Sequence, residues 1–172
     1  KMHSLDNCVF LLYDQNELIG LCGVSVDDFL IAGKDNDSRW QQAKKKLISL
    51  YSWGKWEKRT FHLCGVRYRQ YKDFSISMDQ EEYTMTLNEA NFQLPPDLRK
   101  QEIHRKLDGK GLKCLRALNG SLQWLVTDSR PDLAARVSLS ASATSNPTYG
   151  DLQSANKLIR QAQRYKDIPI NI

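Results

Sequence analysis

The chain has 172 residues, of which 41% are hydrophobic, with a net charge of +5 and a mean hydropathy of −0.56. This composition excludes a disordered or fibrous chain, and the length suits one domain or two small ones. No apolar run is long enough to span a bilayer, so we expect a soluble intracellular protein without a membrane partner. The four cysteines lack metal-ligand spacing, which favours buried free thiols over a structural zinc site.

The first 33 residues predict a three-stranded antiparallel meander. Residues 8–13 form the first strand, and two apolar runs then flank the acidic pair Asp27 and Asp28. Two-residue hairpin turns favour Gly or Asn because their central residues need positive φ, yet both predicted turn positions here are Asp. The pair is therefore either a solvated turn or a site where divalent cations relieve the repulsion between two carboxylates.

The next segment predicts a helix followed by a second group of strands. Ser38 and Gln41 form a capping-box pattern, and the apolar residues behind them recur at helical spacing: Trp40, Ala43, Leu47, Ile48 and Tyr51. The three lysines at 44–46 are interpreted as a solvated helix face rather than a template contact. Residues 60–69 then predict one strand and 74–78 a returning strand. Residues 79–87 predict a helix with Asp79 as its cap.

The last third of the chain predicts a small helical bundle. Residues 89–110 contain Leu-Pro-Pro-Asp and many charges, so we place a linker and the domain boundary there. Three amphipathic helices follow, with starts marked by Pro131 and by Thr148 with Asp151. Their apolar stripes are Leu115, Leu118, Leu122 and Leu125, then Leu133, Ala134, Val137 and Ala141, then Leu152, Ala155, Leu158, Ile159 and Ala162. The predicted fold class is therefore α+β.

The hairpin sequence resembles that of a known family. Val26-Asp27-Asp28 with the following Phe-Leu-Ile-Ala-Gly is similar to the catalytic hairpin, Tyr-Val-Asp-Asp, of the reverse transcriptases of copia-type LTR retrotransposons. The similarity continues in the same order at residues 6–10, 63–66, 80–83, 120–125, 129–134, 137–139 and 146–148. The Gly-Ser-Leu and Arg-Pro-Asp-Leu-Ala elements of the last third resemble the thumb of these polymerases.

The resemblance implies an RNA-directed DNA polymerase that belongs to a Pol polyprotein. It assigns residues 1–88 to the C-terminal part of an antiparallel palm with helices on one face, 89–110 to a linker and 111–167 to a helical thumb. Residues 168–172 would be either the first strand of an RNase H domain or a free end. The expected compartment is a cytoplasmic virus-like particle or the nucleus.

The resemblance also implies the site residues. Asp27 and Asp28 would be the catalytic carboxylates that hold two Mg²⁺ ions, and Leu63, Cys64 and Gly65 would form a primer grip. The basic excess between residues 99 and 116 suggests a duplex contact, with these candidates: Arg99, Lys106, Lys113 and Arg116. The implied partners are an RNA or DNA template–primer duplex, a deoxynucleoside triphosphate and the rest of the polyprotein.

The sequence departs from the family in two places. The family has a third catalytic aspartate on an upstream strand that this chain lacks, and Ser25 stands where many relatives have Tyr. Gly65 is equally consistent with a simple bulge. We therefore expect the 172 residues to be inactive alone. Two alternatives stay open: a non-catalytic nucleic-acid-binding remnant of a decayed or domesticated element, and a decayed reading frame without function.

Overall fold

The structure, a computed structural model, describes residues 1–91 and 103–172 and has an α+β fold. In chain order, the described elements are β1 (Val9–Asp14), β2 (Glu17–Ser25), β3 (Asp28–Gly33), α1 (Ser38–Leu50), β4 (Thr60–Leu63), β5 (Val66–Gln70), β6 (Ile76–Asp79), α2 (Glu81–Thr86), α3 (Gly109–Asp128), α4 (Ala134–Ser142), α5 (Tyr149–Arg164) and β7 (Ile170–Asn171). None of the helices in these residues combines the length and the apolar character that a membrane span needs.

The contacts divide the chain into two units, Lys1–Cys64 and Gly65–Ile172. This division lies well before the boundary predicted within residues 89–110. Much of that segment, residues 92–102, lies outside the described residues, so the predicted linker stays a prediction. Just before residues 92–102, the backbone of Ala90 exchanges two hydrogen bonds with the side-chain amide of Asn156 on α5, at 2.9 and 3.2 Å.

The first unit contains the predicted three-stranded meander, with antiparallel strands in the order β1, β2, β3. Gln15 and Asn16 form the turn between β1 and β2 with φ values of 43° and 73°. Two-residue hairpins match the twist of their strands when both central residues have positive φ, and Asn tolerates that conformation well. The register pairs Gly20 on β2 directly with Gly33 on β3.

Helix α1 covers one face of this sheet through Trp40, which is only 6% exposed. The indole packs directly against the paired glycines. A Cβ added at Gly20 or Gly33 would lie only 2.4 Å from its ring, so neither position has room for a side chain. The predicted cap of this helix is wrong by one residue. Asp37, not Ser38, is the N-cap, and its carboxylate accepts a hydrogen bond from the backbone N–H of Arg39 at 2.8 Å.

An ion-pair network joins the start of α1 to the β1–β2 turn. The Arg39 guanidinium lies 2.5 Å from the carboxylates of both Asp14 and Asp37 and 3.3 Å from that of Glu17. Arg39 holds the pKa of the Asp37 carboxyl well below its usual range, and Lys34 and Arg39 lower that of Glu17. Most of these side chains are exposed, so the network orients the turn more than it stabilises the fold.

The second unit begins with an antiparallel sheet in which β6 pairs with both β5 and β7. The single strand predicted for residues 60–69 is wrong: Cys64 and Gly65 have φ values of 50° and 76°, which interrupts it. Phe74 is likewise at φ 69°, so the returning strand begins only at Ile76. The terminal strand β7 pairs with β6 within this unit, and its assignment to a following domain stays a prediction.

Asp79, predicted as the cap of the next helix, lies one residue before the N-cap, but its carboxylate accepts a hydrogen bond from the backbone N–H of Glu81, the first residue of α2, at 3.1 Å. Asp79 is the last residue of β6, and its buried carboxylate lies 2.9 Å from the Arg67 guanidinium and 3.2 Å from that of Arg69. The N-cap of α2 is Gln80, one residue later. Glu81 extends the cluster, because it binds Arg67 at 2.7 Å and also forms an ion pair with Lys166, beyond α5.

Helices α3, α4 and α5 form the predicted bundle around one apolar core. The buried core residues of this unit are Leu87, Leu115, Leu118, Leu122, Leu125, Leu133, Val137, Leu152, Ala155, Leu158, Ile159 and Ala162. The capping box of Thr148 and Asp151 is confirmed. Ala141, predicted on the α4 stripe, is exposed. Ser140 is buried instead, and its hydroxyl donates to the Asn119 side chain at 2.7 Å.

The Arg130-Pro131-Asp132 motif has a structural role in the bundle. Pro131 opens a 3₁₀ turn before α4, but the Arg130 side chain does not cap it. The buried guanidinium instead donates to the carbonyls of Ala162 and Tyr165 at 3.1 and 3.2 Å and forms a two-point ion pair with Asp132 at 2.8 Å. Carbonyls at a helix C-terminus have no partner within the helix, so the Arg130 side chain supplies hydrogen-bond donors that cap the C-terminal end of α5.

The contact of Trp40 with the glycines predicts a specific cost of adding one methyl group. Gly20→Ala should destabilise the first unit by about 1–3 kcal/mol, because the new Cβ would overlap the indole and force it to move. Gly23→Ala, on the same strand with open space around it, should change stability by no more than about 0.5 kcal/mol. Urea unfolding followed by tryptophan fluorescence measures both, and equal effects would contradict the packing described.

The Glu81 cluster predicts a pH dependence. Lys166 and then Arg67 lower the pKa of the Glu81 carboxyl from 4.5 to about 2. A depressed carboxyl pKa stabilises the fold above about pH 4.5, and this contribution is lost as the pH falls towards 2. Glu81→Gln should therefore lose less stability between pH 5 and pH 3 than the wild-type chain in urea titrations. Glu57→Gln is the control for losing an exposed carboxylate, and an unchanged pH dependence of Glu81→Gln would refute the expectation.

Candidate functional site

The acidic pair lies at the tip of the β2–β3 hairpin, shifted by one residue from the prediction. Ser25 pairs with Asp28, so the two central turn residues are Val26 and Asp27. Asp28 is the first residue of β3 rather than part of the turn. The predicted turn, with Asp27 and Asp28 at its centre, is therefore wrong, because the register of the ladder places the turn one residue earlier.

Val26 holds a strained backbone conformation at this tip. Its φ is 52°, a region that favours Gly and that β-branched residues rarely adopt. In the two-residue hairpin turn that needs positive φ at its first central position, that position is normally Gly. The Val26 side chain is 92% exposed, so no burial of its own compensates for the strain. Strain of this kind clusters at functional sites, where it fixes neighbouring groups.

The carboxylates of Asp27 and Asp28 are both exposed and have no partner within residues 1–91 and 103–172. Neither accepts a hydrogen bond or forms an ion pair with any residue that the structure describes. This contrasts with Asp37 and Asp79, whose charges are neutralised by arginines. Two adjacent carboxylates without a cation leave both groups available to a ligand in solution.

The donor set fits part of a magnesium site. Mg²⁺ prefers carboxylate oxygens and keeps several other positions for water or phosphate, which suits two exposed aspartates. The described residues contain no group of three or more His, Cys, Asp or Glu side chains arranged to hold a metal ion. Asp27 and Asp28 would therefore supply some of the ligands for a bound ion, and further ligands would have to come from water, substrate or additional chain.

The three predicted primer-grip residues lie at an exposed tight turn. The expectation of buried thiols is wrong for Cys8 and Cys64, which are both exposed. Cys64 has a φ of 50°, and Leu63 before it is half-buried at the end of β4. The Cys64 Sγ lies 3.4 Å from the Oγ of Ser25, the residue that pairs with Asp28. The structure therefore brings Cys64 beside the acidic hairpin, 39 residues away in sequence.

Gly65 belongs to the second unit, where its bare backbone contacts an aromatic ring. A Cβ at Gly65 would come within 2.7 Å of Trp124 on α3, and its φ of 76° also favours glycine. Trp124 in turn contacts Tyr83 with ring centroids 4.3 Å apart. This close approach explains Gly65 by packing, a requirement that the sequence alone did not reveal.

The predicted duplex-binding cations are exposed where the structure describes them. Lys113 and Arg116 lie one turn apart on α3, and Lys106 precedes that helix. None of the three forms an ion pair with a described acidic residue. Arg99 lies outside the described residues. Among the described residues, no carboxylate competes with an anion for these three cations, which is the minimum that the prediction requires.

An aromatic cluster beside the hairpin was missed in the sequence. Phe29, directly after Asp28, makes an edge contact with Trp53 at 4.7 Å, and Trp53 contacts Tyr51 and Trp56 at 5.5 and 5.1 Å. The signal in the sequence is the alternation of aromatic and basic residues directly after α1.

Comparisons of the chain with protein-family models, with curated protein sequences and with solved structures found no match. Any functional assignment therefore depends on the hairpin tip, its unpartnered carboxylates and the surfaces around them.

The strain at Val26 predicts that a better turn residue stabilises the fold. Val26→Asn should raise the free energy of unfolding by up to about 1 kcal/mol, because Asn tolerates positive φ and the exposed valine contributes no burial. Val26→Ala, which keeps the backbone cost, serves as the control and should gain less. Urea titration measures both, and a destabilised Val26→Asn would show that the turn is not strained as described.

Proposed function

We propose that the chain is the C-terminal part of the palm, together with the thumb, of a reverse transcriptase of the copia type. In this assignment the parent protein is an RNA-directed DNA polymerase within a Pol polyprotein, acting in a cytoplasmic virus-like particle or in the nucleus. Its substrates are a template–primer duplex and deoxynucleoside triphosphates.

The observation that carries the proposal is the combination found at one hairpin tip. A strained β-branched residue at φ 52° precedes two exposed carboxylates that have no cation partner in the described chain. An ordinary solvated turn usually places Gly or Asn at positive φ, as the β1–β2 turn does at its second central position with Asn16. Retaining Val26-Asp27-Asp28 despite that cost is expected when the carboxylates must be held in a defined position.

Asp27 and Asp28 are the residues that would hold Mg²⁺ in the complete polymerase. The bound ions would supply electrostatic stabilisation of the transferring phosphoryl group and of the leaving pyrophosphate. The chain itself supplies the rigid support: the β2–β3 hairpin lies under Trp40, and Ser25 beside Asp28 contacts Cys64. Ser25 is a small hydroxyl where the family has a tyrosine ring, so the surface facing the primer end is more open in this chain.

The thumb assignment is supported by the three-helix bundle and by its free cations. Lys113 and Arg116 share one exposed face of α3 and have no described acidic partner. Cations of this kind bind a duplex through its phosphates, without reading its sequence.

A second candidate is a non-catalytic nucleic-acid-binding remnant. Its support is that the described residues offer only two carboxylates at the tip and no three-ligand metal group, while the cations at 106, 113 and 116 remain exposed. Such a protein would bind a duplex in the absence of magnesium and would not depend on Asp27.

Substitution of the acidic pair separates the two candidates. The test fuses an upstream palm segment carrying the third aspartate, from a copia-type polymerase, to the 172 residues. In that fusion Asp27→Asn should reduce primer extension by about 100-fold or more, because metal-ion catalysis supplies several kcal/mol. Duplex binding should change by less than about twofold. Asp35→Asn, another exposed carboxylate of the first unit, is the matched control and should retain activity.

Each result of this test has a definite reading. Extension that depends on Asp27 supports the polymerase. Duplex binding without any extension, in a fusion shown to be folded by circular dichroism, favours the remnant. Full activity of Asp27→Asn would contradict the assignment of Asp27 as a metal ligand.

A further inference from the structure

Nine residues between α1 and β4, which we call the aromatic–basic segment (residues 51–59), carry an unusual concentration of ring and cationic side chains. The segment forms neither helix nor strand. Six of its residues are aromatic or basic: Tyr51, Trp53, Lys55, Trp56, Lys58 and Arg59. The proposed roles of the acidic hairpin and of the thumb cations do not explain this concentration of aromatic and basic side chains.

The aromatic side chains of the segment form a fixed platform. Trp53 is held from two sides, because its ring contacts Phe29 edge-on and its Nε1–H donates to the carbonyl of Leu47 at 3.2 Å. Tyr51 contacts Trp53 at 5.5 Å with the rings perpendicular, yet it is 66% exposed. The tyrosine ring is therefore oriented from one side and open to solvent on the rest of its surface.

The cations of the segment are available to an anion. The Lys55 and Lys58 side chains are 86% and 70% exposed, and their nearest carboxylates, on Glu57 and Asp35, are 3.6 and 3.5 Å away. Exposed pairs at such distances contribute little and exchange readily for a phosphate. Arg59 forms no ion pair with any described residue.

The distribution of charge within the first unit points to the same surface. Residues 40–62 contain six Lys or Arg and one acidic residue, whereas the rest of residues 1–64 contains three Lys or Arg and seven acidic residues. A polyanion approaching this unit is therefore attracted to α1 and the aromatic–basic segment rather than to the strands. The Nε1–H of Trp56 is buried without an acceptor among the described residues, so a bound water or ligand oxygen must satisfy it.

We propose that the aromatic–basic segment binds single-stranded nucleic acid, with one base stacked on Tyr51 and phosphates bound by Lys55, Lys58 and Arg59. An exposed ring beside a line of cations is the combination that binds single strands without sequence preference. Phe29 joins the platform directly to Asp28, so the strand would run beside the acidic hairpin. Its role as the unpaired template rests on the proposed polymerase function, but the binding itself does not.

The test measures binding of fluorescein-labelled twelve-nucleotide oligo(dT) to the 172-residue chain by anisotropy, in EDTA and across 50–300 mM salt. Tyr51→Ala should weaken binding at least about fivefold, since stacking contributes about 1 kcal/mol or more per base. Tyr51→Phe should bind within about twofold of the wild-type chain. Lys55→Gln with Lys58→Gln and Arg59→Gln should flatten the dependence of log K on log salt by about 2, because each single-strand phosphate contact contributes about 0.7.

Two controls separate this site from binding by net charge. Lys1→Gln with Lys72→Gln and Lys157→Gln removes the same charge from exposed positions outside residues 40–62 and should change the slope much less. Tyr51→Ala should leave binding to heparin, a polyanion without bases, unchanged. Circular dichroism and tryptophan fluorescence confirm that each variant is folded.

Three outcomes would overturn the inference: no binding of oligo(dT) by the wild-type chain, no effect of Tyr51→Ala, or equal slopes for the two triple variants. Failure of the polymerase assignment can be distinguished from failure of this inference. Oligo(dT) binding in EDTA needs no metal, so it should persist in the Asp27→Asn variant. If the fusion extends primers in an Asp27-dependent manner but the 172-residue chain does not bind oligo(dT), this inference is contradicted and the polymerase assignment is not.

Discussion

The contact of one indole with two facing glycines supports the whole first unit. Gly20 and Gly33 are direct partners across β2 and β3, and Trp40 covers both at a distance that no Cβ would permit. A flat aromatic ring on a bare patch of sheet buries a large apolar area, and it decides which face of the meander is inside. A shift of register by one residue would move the glycines apart and place side chains under the ring, so this contact also selects the register.

The register has its main consequence at the far end of the hairpin. Because Gly20 pairs with Gly33, Ser25 pairs with Asp28, and the turn falls on Val26 and Asp27. The strain at Val26 is therefore imposed by a contact six residues away rather than by the turn sequence. At the other end of the sheet, the Arg39 network holds the turn at Gln15 and Asn16, where Asn16 suits positive φ and neither residue is β-branched.

The second unit is organised by different physical principles. Its bundle depends on continuous leucine stripes, and several of its buried polar side chains have specific partners, such as Arg130 with the end of α5 and Asn119 with Ser140. Its sheet depends on the cluster of Arg67, Arg69, Asp79 and Glu81. Asp79 has two arginine partners in this cluster and Arg67 has two carboxylate partners, so each of these two charges is compensated more than once. The Asp pair at the hairpin, by contrast, is exposed and has no cation partner in the part of the chain that the structure describes.

The periodicity of the sequence was enough to predict the α+β class, the meander, the three helical stripes and the capping box of Thr148, because each depends on residues a few positions apart. It was not enough for the Asp79 ion pairs, the cap at Asp37 or the burial of Ser140 in place of Ala141. In those cases the partner comes from a distant or competing group that local spacing does not reveal. The acidic pair itself was visible in the sequence. Its place in the turn, the strain before it and the platform of Tyr51, Trp53 and Phe29 were decided only by tertiary structure, because strand register and ring contacts arise when segments far apart in the chain meet.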